Sequence, residues 1–138
     1  MAFTGNYTCS VFKLGLLSGN FDFASGTTDV FKIALYTNQA TLDADTEVYT
    51  TIGEVVSAGY TAGGKALTPS VSISDGISFV DFNDVTWNVA FTARGALIYK
   101  YGGAAICVLD FGADRTSTAT FRVQFPVNTS SSALIRIS

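Results

Sequence analysis

The stretch Arg94-Gly-Ala-Leu-Ile-Tyr-Lys-Tyr-Gly-Gly-Ala-Ala-Ile-Cys-Val-Leu-Asp-Phe111 sets the fold. Two apolar, strand-forming runs flank Gly102-Gly103, and a two-residue Gly-Gly link supplies the positive φ angles of a tight type I′ turn. Leu97 to Tyr101 and Ala104 to Leu109 are therefore expected to pair as antiparallel strands. They show so little polar alternation that both faces must be covered, which puts the hairpin in the middle of a sandwich or barrel.

Working outward, shorter runs with a period of two surround this hairpin. Val30 to Thr37 is a strand with Phe31, Ile33 and Leu35 on one face and Lys32, Ala34 and Tyr36 on the other. In Ser70-Val-Ser-Ile-Ser74 the pair Val71 and Ile73 is expected to point inward and the serines outward, with Asp75-Gly76 turning the chain into Ile77 to Phe82. Val85, Trp87, Val89 and Phe91 share a face of the next strand, an aromatic stripe that reads as core. Gly112 to Ser117 reads as a turn, Thr120 to Phe125 as a strand stopped by Pro126, Asn128 to Ser132 as a polar loop, and Ala133 to Ser138 as the last strand. Roughly eight or nine short strands joined by Gly, Asp and Ser turns argue for an all-β, two-sheet antiparallel sandwich, with a jelly roll the wiring that fits the strand number.

Two regions are less regular. Residues 1–29 form an N-terminal arm ahead of a β-sandwich domain over 30–138; within the arm, Cys9 to Leu17 reads equally as a short helix using Cys9, Phe12 and Leu16 or as an edge strand. The arm is either a docking segment for another subunit or a lid on the sandwich. Asn38 to Gly64 is the longest irregular stretch, with one helical turn expected near Asp45 to Thr50. A long loop in a compact domain is usually functional or packed against something, so this is the expected contact surface. Tyr60 with its flanking glycines, and Phe12 in the arm, are the candidate contact residues.

Composition narrows the chemistry. At 138 residues one core can close on itself. Charged residues make up 14% of the chain, against about 25% in ordinary globular proteins. The surface is therefore left to Ser, Thr, Gly and Ala, as suits a protein covered by neighbours. A net charge of −3 removes the attraction to phosphate on which nucleic-acid binding depends. No run of about 18 apolar residues occurs, so no membrane span is expected. The opening Met1-Ala-Phe-Thr-Gly-Asn6 lacks a basic, then apolar, leader, and the chain is expected to act without signal-dependent export. Cys9 and Cys107 read as buried free thiols.

There is no histidine, which removes Ser-His-Asp and Cys-His nucleophiles, most zinc sites and the usual general base at neutral pH. Asp81 with Asp84, or Asp110 with Asp114, imitate a glycosidase acid–base pair, but all four sit where Asp forms turns. Gly59 to Lys65 imitates a phosphate loop, yet Ala66 stands where a hydroxyl must reach magnesium. Asp43, Asp45, Glu47 and Glu54 imitate a calcium loop, but Val48 occupies the position that needs glycine; a solvated acidic loop is the plainer reading. The sequons at Asn6 and Asn128 carry no weight without a secretory route. No cofactor, metal or catalytic set is expected.

Taken together, Phe31-Lys-Ile-Ala-Leu-Tyr-Thr37, Glu54-Val55 followed by Gly59-Tyr-Thr-Ala-Gly-Gly64, and Thr92-Ala-Arg-Gly-Ala-Leu-Ile-Tyr99 resemble small structural proteins of tailed-bacteriophage virions, over a span from about Phe31 to the carboxyl terminus. The resemblance implies a non-enzymatic capsid decoration or cement protein, made in the host cytoplasm and placed outside the major capsid protein shell, where it bridges capsomers. A bridging protein gains effective concentration for its second contact once the first is made, and interfaces of roughly 1,600 Å² suffice. Clustering as a dimer or trimer would cover exposed sheet edges. The alternative is a tail-fibre or spike module binding host-surface carbohydrate, for which Tyr36, Tyr49, Tyr60, Tyr99 and Tyr101 would supply stacking faces.

Overall fold

A computed structural model describes residues 5–126, 129 and 131–137. The second sequon, part of the polar loop expected over 128–132 and the final residue of the last strand lie outside these. In chain order the elements are β1 (Tyr7–Thr8), α1 (Ser10–Leu17), β2 (Phe31–Tyr36), β3 (Lys65–Leu67), β4 (Pro69–Ser74), β5 (Ile77–Phe82), β6 (Val85–Trp87), β7 (Thr92–Lys100), β8 (Ala105–Thr116), β9 (Phe121–Val123) and β10 (Ile135–Ile137). All strand pairs are antiparallel, in sheets ordered β1-β8-β7-β2-β3, β10-β5-β4 and β6-β9. The expected all-β sandwich class is what the chain adopts. This order does not by itself establish jelly-roll wiring. No helix among the described residues is long and apolar enough to cross a membrane.

The β7–β8 hairpin is central, as its covered composition requires, with Leu97, Ile98, Ile106 and Val108 fully buried. Its turn differs from the expected one. Gly103 N–H donates to the Lys100 carbonyl and Lys100 N–H to the Ala104 carbonyl, so three residues make the connection. Only Gly102 has positive φ, +75°, at the position where a type II turn needs it. The two-residue turn with both φ positive lies instead at Asp75-Gly76, +54° and +76°.

Further out, three strand readings change. Gly112 to Thr116 continues β8; the register jumps from Gly95–Asp110 to Ala93–Arg115, so the expected turn is a wide bulge inside a strand. Arg94 closes it by donating to Asp110 at 3.0 Å. β6 ends at Trp87, although Phe91 still packs in the core against Phe121 at 4.9 Å. Val71 and Ile73, expected inside, are 50% and 72% exposed because β4 is an edge strand whose apolar face is left uncovered. Alternation fixes that the two residues share a face; it does not say that anything lies on that face.

Of the two readings of Cys9 to Leu17 the helix is the one adopted, over Ser10–Leu17; Tyr7–Thr8, just ahead of that stretch, pairs with β8 at its edge. Phe23 stacks on Phe31 at 4.6 Å, and Phe31 meets Phe82 at 6.2 Å, so one aromatic row ties the arm to two sheets. Cys9 and Cys107 are buried and free.

Candidate functional site

The 38–64 region contains no helix. Asp45 to Thr50, expected to hold a helical turn, is irregular. Thr46, Val48 and Thr50 are β-branched and resist a helix, while Asp43 accepts from Asp45 N–H at 2.8 Å in an Asx turn. The chain then lies along β2: Thr37 N–H donates to Gly53 O at 2.8 Å and Val55 N–H to Leu35 O at 2.9 Å. These bonds deliver Glu54 into the interior, where it is 6% exposed.

A buried carboxylate is costly unless its lone pairs are filled, and here they are. Glu54 Oε1 accepts from Tyr49 Oη at 2.5 Å; Oε2 accepts from Tyr60 Oη at 2.6 Å and from Gly63 N–H at 2.8 Å. Tyr60 Oη accepts in turn from Leu35 N–H at 2.9 Å. Tyr99 donates to Gly63 O at 2.7 Å and Tyr36 to Thr50 O at 2.6 Å. The whole loop is therefore clasped to the central sheet from below. Burial, and then the charge of Glu54, push the Tyr99 hydroxyl up to about 12; Tyr60 rises further, through burial first and its bond to Glu54 second. These phenols stay protonated at neutral pH and serve as fixed donors.

Above this clasp the loop turns apolar side chains to solvent: Ile52 is 73% exposed and Val56 97%. Val48 is exposed as well. Single exposed apolar residues are ordinary; these three are carried by a loop whose base is fixed by the bonds to Glu54.

The residues singled out in the sequence are scattered. Phe12 and Tyr60 are 1% and 7% exposed, so neither ring faces outward; Phe12 fills the core beneath α1, and Tyr60 anchors the loop. Asp43, Asp45 and Glu47 are exposed on the loop while Glu54 points inward, and no group of three or more His, Cys, Asp or Glu able to hold a metal occurs among the described residues. Lys65 donates to Thr86 O at 2.6 Å. Asp84 accepts from Phe125 N–H and from Arg122; Asp110 accepts from Arg94 and from Gly112 N–H; Asp114 accepts from Asn38. Asp81 accepts from Phe82 N–H at 3.0 Å.

Sequence reasoning placed Glu54 in the acidic loop and missed the clasp. The available signal was Gly53-Glu-Val-Val56, an acid set among apolar residues with tyrosines close by on both sides. No protein-family model, curated protein or solved structure matches the chain.

Proposed function

We propose that the protein is a structural component of a tailed-bacteriophage virion, acting as a capsid decoration or cement protein. It docks on the outside of the major capsid shell, bridges capsomers and carries out no catalytic step. The observation that carries this reading is the 38–64 loop. A buried Glu54 held by Tyr49, Tyr60 and Gly63 fixes a loop that presents Ile52 and Val56 outward. Such a loop loses little conformational entropy on binding, which favours a modest contact repeated many times. The low charge content supports the same reading, which the resemblance read in Phe31 to Thr37, Glu54-Val55, Gly59 to Gly64 and Thr92 to Tyr99 first suggested.

The carbohydrate-binding alternative needs open tyrosine faces. Tyr36, Tyr60 and Tyr99 are buried, and the exposed ring of Tyr101 already has the Lys32 ammonium 4.7 Å from its centroid. It has less support.

The test is copy number and particle strength. The cement role expects hundreds of copies on the head, and heads lacking the protein that rupture sooner under heat or osmotic shock. Replacing Ile52 and Val56 together by Asp is expected to abolish binding to such heads while leaving the fold intact. Heads equally robust without the protein, or a protein confined to a few tail copies, would overturn the proposal.

A further inference from the structure

Among the described residues the sheets end in six edge strands, and five of them, β1, β3, β6, β9 and β10, are only two or three residues long. Short edges offer too few free backbone groups to capture a strand. β4 is the exception: six residues, Pro69-Ser-Val-Ser-Ile-Ser74, paired with β5 on one side, with no strand among the described residues on the other, and without a charged side chain. Of the devices within a strand that blunt an edge, a charge, a bulge or a proline, it has Pro69, at its start.

The hairpin geometry fixes which groups of β4 face outward. A two-residue turn at Asp75-Gly76 makes Ser74 and Ile77 a hydrogen-bonded pair, and alternation makes Ser72–Phe79 another. The N–H and C=O groups of Val71 and Ile73 therefore point away from β5. Beside them the apolar side chains of Val71 and Ile73 stay exposed, continuing the rows Val71-Val80-Ile135 and Ile73-Ser78-Ile137 across the three strands. An open apolar groove of about 320 Å³, floored in part by Phe12 and Phe23, adjoins these rows.

We propose that β4 is a self-association edge that pairs antiparallel with β4 of a second copy about a two-fold axis through Ser72. The strand reads almost the same in both directions, Ser-Val-Ser-Ile-Ser, so Val71 of each copy meets Ile73 of the other. That register sets outward N–H against outward C=O at both pairs, which share the hydrogen-bonded spacing, and leaves Ser72 facing Ser72 of the second copy as the non-hydrogen-bonded pair between them. No like charges meet across the axis. The three-stranded sheet becomes a continuous six-stranded one, and the exposed side chains of Val71 and Ile73 of both copies lie side by side. A second copy satisfies this edge on its own terms, so the pairing does not depend on the virion role. It specifies the strand and the symmetry of the self-association.

The experiment uses the full chain. Light scattering behind size exclusion is expected to give twice the mass of one chain. Ser72→Lys places two ammonium groups face to face and should return the mass to that of a single chain, with an unchanged near-ultraviolet spectrum showing that the fold is intact. In the dimer the two residues at position 72 have Cα atoms about 4.5 Å apart, inside the roughly 4.4–6.8 Å over which a disulfide closes. Ser72→Cys should therefore cross-link on mild oxidation, and Ser74→Cys, displaced from the axis, should not. Cys9 and Cys107 are buried and leave the assay clear. A monomeric wild type overturns the proposal, as does a dimer that ignores Ser72→Lys or cross-links no better through position 72 than through position 74.

Discussion

Tyr60 Oη holds two partners at once, donating to Glu54 and accepting from the Leu35 amide. Tyr60→Phe removes both bonds, leaving a buried amide unsatisfied and the carboxylate short of a donor, and should cost about 2–4 kcal/mol in urea unfolding. Tyr49→Phe removes one bond from a half-buried ring and should cost about 1–2 kcal/mol. If both losses were negligible, the clasp would not be what holds the loop. The thiols test a different part of the interior. Burial, and then the charge of Asp43, push Cys9 up to about 11, and burial raises Cys107 as well. Neither is expected to react with iodoacetamide at pH 8 in the folded chain, and both should react in urea, because the thiolate is scarce and access is blocked. Rapid labelling of Cys9 in native protein would mean that the arm lifts off.

Turns separate backbone conformation from space. Gly64 and Gly76 have nearly the same φ, +79° and +76°. A Cβ on Gly76 would meet nothing within 4 Å, whereas one on Gly64 would run into the Ile33 carbonyl. Gly76→Ala should therefore cost about 1 kcal/mol, and Gly64→Ala, adding a backbone clash to the same strain, about 3 kcal/mol or more. Equal melting shifts would show that the loop is not pressed onto β2. Local chemistry of this kind is what the sequence makes legible. The central hairpin, the Asp75-Gly76 turn and the aromatic stripe follow from residue type and spacing, because strand propensity and turn chemistry act within a few residues. The exposure of Val71 and Ile73, the bulge over 111–114 and the inward turn of Glu54 all depend on what lies across the fold. Glu54 reads as one more acid in an acidic loop until Leu35, Tyr49 and Tyr60 are brought around it.

Across the molecule, the few ionised groups pin strands that hydrophobic burial alone leaves loose. The Asp110 carboxyl is held below its usual range by its bond to Arg94, with Gly112 N–H adding to the effect; Asp84 is held low by Phe125 N–H and then by Arg122. Asp110 ties the β7–β8 bulge, and Asp84 fastens the segment after β9 to the end of β5. A carboxyl with a depressed folded-state pKa adds stability above its unfolded value, and that stability is lost as pH falls through the folded one. Asp81 is raised by burial and works in the opposite direction, favouring the fold in acid and opposing it as pH rises. On acidification through the ordinary carboxylate range near pH 4, wild type should therefore lose more stability than an Asp110→Asn variant, which is already weaker at pH 7. Asp81→Asn should do the reverse, gaining over wild type at pH 7 and losing that advantage at pH 3. Urea midpoints at the two pH values measure both differences. Parallel slopes for wild type and Asp110→Asn would mean that the Arg94 pair is no more than a surface contact, and that the bulge is held by backbone bonds and by the packing of Phe111 against Phe121 at 6.0 Å.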